Sequence, residues 1–146
     1  MRTSPDSSPG AGADDQTIRN RIIAVAAAGT VSGLPSTVHA LVTSGSALAA
    51  TRAAGALLGR ASVPRGIVAH VTLSVSWGYL LAKTLPAGHR VAAGLVAGAA
   101  IAALDLGVVG RHVPAIRALP QLPQWADHLA FGAVLGAVLD AREAVR

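Results

Sequence analysis

Residues 91–110 run for twenty positions with a single charged side chain, Asp105. A helix of that length spans about 30 Å, the thickness of a bilayer's hydrocarbon core. Three more apolar stretches follow the same pattern, at residues 22–43, 66–82 and 124–139. A backbone in lipid must satisfy its own hydrogen bonds, and for segments of this length the helix is the structure that does so. The expected fold is therefore an all-α integral membrane protein. It is a compact bundle of four transmembrane helices plus one short interfacial or re-entrant helix.

Composition supports the same solvent. Only 13% of residues are charged and 52% are hydrophobic, against roughly 25% charged in an ordinary soluble domain. With 146 residues, one domain is expected, and no stretch is polar enough to be a soluble enzyme tethered to an anchor. The chain has no cysteine, which removes disulfides, thiolate metal sites and cysteine nucleophiles. The net charge of +5 comes from twelve basic residues, all arginine except Lys83. They lie mostly between apolar runs, so they read as anchors at lipid headgroups rather than as a nucleic-acid surface.

Punctuation along the chain sets the boundaries. Residues 1–17, rich in Ser, Pro, Gly and Asp, read as a disordered tail. Pro35 should break the first long segment near Gly33 and Leu34, with the Ser36 and Thr37 hydroxyls covering the backbone groups it releases. Residues 44–46 form a breaker. Residues 47–59 are helical in composition but, at about 20 Å, too short to span. A true crossing there is the competing reading and gives five spans. Trp125 and Tyr79 fit an aromatic belt. With four crossings the termini share a side carrying seven basic residues against five. This places both termini in the cytoplasm of a bacterial inner membrane.

Two kinds of stripe suggest how the helices pack. Small-residue spacings that allow close backbone approach occur at Gly29/Gly33, Gly55/Gly59, Gly94/Gly98 and Gly132/Gly136. Polar residues extend them: Asp105 shares a face with Gly94 and Gly98, and His128 with Gly132 and Gly136. His70, Ser74 and Gly78 form a third stripe, and Ser32, Ser36, His39 and Thr43 a fourth.

In a four-span topology His39, His70, Asp105, Asp127 and His128 fall in one leaflet. That grouping fails if residues 47–59 cross. A carboxylate at membrane depth must be protonated, paired or hydrated, and Arg111 is one partner for Asp105. Three readings of the cluster stay open. It is a structural hydrogen-bond network, a proton, ion or small-ligand site, or a metal or haem site, for which the histidines and carboxylates suffice in number but lack HxxxH or ExxH spacing. Hydrolysis is disfavoured, because no serine sits in a G-x-S-x-G elbow. No catalytic residue and no cofactor are assigned, and the metal is left unknown.

The segments Gly33-Leu34-Pro35-Ser36-Thr37, Ala50 through Gly55, Ile101 through Asp105 and Gln124-Trp125-Ala126-Asp127-His128 give the chain an overall pattern that resembles small uncharacterised multi-pass membrane proteins of actinobacteria. The resemblance implies a multi-pass inner-membrane protein and brings no activity. Two functions follow from the residues. One is a scaffolding or accessory-subunit role, with membrane lipid and either a homo-oligomer or a larger membrane complex as partners and no nucleic acid. The other is a carrier or channel for a proton, ion or small ligand that uses the His/Asp cluster.

Overall fold

A computed structural model describes residues 9–43 and 45–145, with side chains from Asp14 onward. Those residues form an all-α helical bundle. Its long helices are α1 (Pro9–Val31), α4 (Val63–Thr84), α5 (Arg90–Ala102) and α7 (Gln121–Ala144). Shorter pieces fill the connections: α2 (Leu34–Val42), α3 (Ala49–Ala54) and α6 (Pro114–Arg117). Helix α1 starts inside the segment expected to be a tail. Proline is favoured at a first helical position, and within the first turns Gln16 donates to Asn20 and Arg19 to Gln16. Residues 1–8 of that segment lie outside the described residues.

The chain runs up and down the bundle in four passes. Helix α7 packs on α5 and on α1, and α1 packs in turn on α4. Helices α5 and α7 are antiparallel, since Gly94 meets Gly132 and Gly98 meets His128, and so are α1 and α4, where Gly29 meets Ser74 and Val25 meets Gly78. Helix α3 and the 3-10 turn Gly55–Leu58 fold onto the start of α4 and make no fifth pass. They end at Gly59, whose φ of +96° is left-handed and open to glycine at no steric cost.

The α5–α7 pair is held backbone to backbone. A methyl group on Gly94 would collide with the carbonyl of Gly132, and one on Gly132 with the carbonyl of Gly94. Gly98 sits in the same way on the His128 carbonyl, and Gly136 on that of Arg90. At the same end Arg90 donates to Asp140 at 3.1 Å and to Glu143 at 3.0 Å. The Arg90 side chain is only 14% exposed, whereas its two acid partners stay open to solvent. Helix α1 meets α4 less tightly: Gly29 lies on Ser74, and Val25 fills the notch at Gly78. Gly66 is the point where α4 touches the Thr51 carbonyl of α3.

The core lies toward the end where α5 begins and α7 finishes. It contains Ala24, Ala28, Leu81, Ile101, Phe131, Leu135 and Leu139. At the other end the bundle is not compact in the way expected. There α4 and α5 stand on opposite walls of a cavity. The polar and small residues of the four stripes do not fill the space that larger side chains would occupy.

Two stretches, Asp14–Val42 and Arg90–His112, are long and apolar enough to cross a membrane. The first includes the break at Pro35. Helices α4 and α7 have the length, at 22 and 24 residues, but interrupt their apolar runs with histidine, serine, aspartate and arginine.

The glycine contacts define a graded test. Gly132→Leu should lower stability by about 3 kcal/mol or more, because backbone on both sides cannot yield. Gly33→Ala should be neutral or stabilising by up to about 1 kcal/mol. Its φ of −81° suits alanine, and a methyl group there meets nothing within 4 Å. Thermal unfolding of both variants in mild detergent, followed by circular dichroism, measures the difference.

Candidate functional site

The site grows out of two defects in helix continuity. The first is the α1–α2 break at Ser32 and Gly33. Pro35 has no N–H to donate to the preceding turn, so the carbonyls ending α1 and the N–H groups starting α2 need other partners. On the carbonyl side, Gly29 accepts from the Ser32 hydroxyl at 3.1 Å and is bonded by His70 Nε2 at 3.0 Å. His70 reaches it from α4. On the N–H side, the Ser36 amide donates to Asp127 Oδ1 at 2.9 Å, a contact between residues 91 apart in sequence. A carboxylate at a helix N-terminus also complements the local dipole. The hydroxyls therefore have a smaller part than expected. Ser36 Oγ turns back to the Gly33 carbonyl at 3.3 Å, and the released N–H is covered by α7.

The second defect is the π-helical stretch Ala103–Val109 that continues α5. Wide turns of this kind are rare and often mark functional sites. Asp105 lies in its first turn. The carboxylate does not pair with Arg111, whose Nε instead meets His112. It faces α7, where Asp105 Oδ2 lies 3.4 Å from His128 Nε2. Across the ring, His128 Nδ1 is 2.8 Å from the Gln124 carbonyl. A carbonyl only accepts, so Nδ1 carries a hydrogen. That leaves Nε2 to hold whatever lies between the ring and Asp105.

Both defects open onto one cavity of about 490 Å³ between α4 and α5. This lies within the roughly 300–1,000 Å³ range of small-molecule sites. Its wall is mostly apolar, with Leu73, Trp77, Ile101 and Phe131 among the lining groups. Its polar groups include His70, Asp105, Asp127 and His128, and among the described residues no lysine or arginine lines it. Gln124 also borders it. That residue is 8% exposed, and its side-chain amide makes no hydrogen bond among the described residues.

Four of the five residues expected to cluster thus line one cavity. His39 does not. It lines a separate space of about 120 Å³, divided from the first by Ser36 and Gln124. Among the described residues no group of three His, Cys, Asp or Glu is placed to hold a metal ion. Of the expected packing residues, Gly94, Gly98, Gly132 and Gly136 meet across α5 and α7, Gly29 meets Ser74, and a methyl group on Gly33 would meet nothing within 4 Å. Gln124, Arg90 and Gly66 were missed as contributors. A glutamine beside a span boundary reads as an interface residue, and nothing in the local pattern marks it as buried. A scan against family models finds no match, and searches of curated proteins and of solved structures find none either.

Removing the cap on α2 tests its place in the fold. Asp127→Ala leaves the Ser36 amide without its acceptor and should cost about 1–3 kcal/mol. Asp127→Asn keeps an acceptor oxygen and should recover most of that loss. The two melting temperatures, read beside wild type, check the order.

Proposed function

We propose that this chain is a small polytopic membrane protein that binds a small ligand in the cavity between α4 and α5. The observation that carries the reading is the convergence of two helix defects and four ionisable side chains on one space. Helical membrane proteins that handle small solutes place interrupted helices and intramembrane ionisable groups at their binding sites.

Support for a lipid environment comes from the outer surface. Val96, Ile22 and Leu41 are 72%, 63% and 62% exposed, and Ile67, Val68, Val71 and Val75 line the outside of α4. A soluble monomer rarely shows apolar patches of that extent. In this reading all four long helices cross a bacterial inner membrane and both termini are cytoplasmic. A scaffolding role drew on glycine faces available to partners. Gly94, Gly98, Gly132 and Gly136 are occupied within the chain, which favours ligand binding over that role.

Two experiments test the proposal. The absence of native cysteine makes single-cysteine variants clean topology reporters. In intact cells Ala118→Cys should react with an impermeant maleimide, whereas Asp14→Cys and Ala144→Cys should react only after permeabilisation. Reaction at one terminus alone would reject an even number of crossings.

Binding is read by thermal shift of the detergent-purified protein with 1-naphthylmethylamine, 1-naphthylmethanol and 1-naphthylacetate. At about ten times its Kd a ligand stabilises by about 1.4 kcal/mol, a few degrees in Tm. At least one probe should shift wild type and not Ala54→Phe, which fills the cavity wall. No cavity-dependent shift with any of the three would overturn the binding reading.

A further inference from the structure

The arrangement of protons around His128 narrows the ligand. Nδ1 of His128 must donate to the Gln124 carbonyl, so in a neutral ring Nε2 presents a lone pair. That lone pair points at Asp105 Oδ2, 3.4 Å away. An ionised carboxylate also presents only lone pairs. Two acceptors cannot face each other across that distance in a partly buried site unless something positive lies between them. Without a ligand that species is the proton of the His128–Asp105 hydrogen bond.

The rest of the cavity has the same character. Among the described residues Asp127 on α7 and His70 on α4 are the other titratable groups facing it, and no arginine or lysine does. Asp127 uses Oδ1 for the Ser36 amide. A third feature is Gln124, a residue 8% exposed whose side-chain amide borders the cavity, is not sealed from solvent and makes no hydrogen bond among the described residues. An anionic ligand would meet two carboxylates and no fixed cation. A ligand with an ammonium head meets acceptors on Asp105, His128 and Gln124, and the apolar wall with Trp77 and Phe131 receives its hydrocarbon body.

Resting on the ligand-binding reading above, we infer that the cavity takes a lipophilic primary amine as its ammonium ion, in exchange for the proton held between His128 and Asp105. The exchange balances in charge. One ammonium enters and donates its N–H groups to Asp105 Oδ2 and His128 Nε2. One proton leaves to solvent, and the neutral imidazole and the carboxylate remain. No bond to carbon is made or broken.

Titration calorimetry of the purified full-length protein with 1-naphthylmethylamine at pH 7, in two buffers of different ionisation enthalpy, counts that proton. Close to one proton should be released per amine bound. The amine should bind roughly tenfold or more tightly than 1-naphthylmethanol, as expected for hydrogen bonds to a charged group, and 1-naphthylacetate should bind weakest. In Asp105→Asn the amine should lose that advantage over the alcohol and release no proton, while the alcohol's affinity stays within about twofold. If Asp105→Asn fails to fold, the wild-type proton count and the ranking of the three probes decide the matter alone. Binding of the alcohol or the acid as tightly as the amine, or amine binding without proton release, overturns the inference and leaves the binding site standing. Failure of all three probes to bind overturns both.

Discussion

The contact between the backbones of α5 and α7 sets the positions of most other elements. Glycine at 94, 98, 132 and 136 removes the side chains that would hold the helices apart. Packing at that range gains dense van der Waals contact along the whole seam. It also fixes chemistry. Gly98 seated on the His128 carbonyl places Asp105, two turns further along α5, against the ring of the same histidine. The pairing of an acid and a base deep in the bundle is thus a by-product of the glycine register. A shift by one residue would separate them.

Polarity elsewhere in the cavity arises from the backbone. The α1–α2 break exposes carbonyls in one direction and N–H groups in the other. The break itself and two other helices then supply side chains to match them: Ser32 from the break, His70 from α4 and Asp127 from α7. Such groups are costly to leave unmatched away from water. Ordering the break therefore ties α4 and α7 to the same point on the first helix. Pro35 is the origin of this knot, although it touches none of the partners through a polar atom.

Local pattern made much of this legible. Glycine spacing, the proline and an isolated aspartate are short-range features, and each acts over one or two helix turns. Hence the break near Gly33, the shared face of Asp105 with Gly94 and Gly98, and the shortness of residues 47–59 could be read from the chain. What periodicity does not encode is which face meets which. Arg90 and its acids are about fifty residues apart, and Asp127 and Ser36 ninety-one. Gly33 has the right spacing from Gly29 but falls after the last residue of α1, so it has no helix face to offer. His39 follows the break, and the change of register carries it into a different space. The number of helices apolar enough to cross a membrane also came out smaller than the run lengths suggest. Helices α4 and α7 devote part of their surface to the polar cavity.

The Arg90 fork has a mechanical meaning. It sits where α5 begins and α7 ends, beside the Gly136 contact and close to the cluster of Leu81, Leu135 and Leu139. The four passes are knit together at that end, whereas α4 and α5 are separated by a hollow at the other. Backbone seated on backbone beside that fork leaves α5 and α7 no room to slide past each other. The cavity wall that these two helices form is therefore held in register by residues that never touch the cavity.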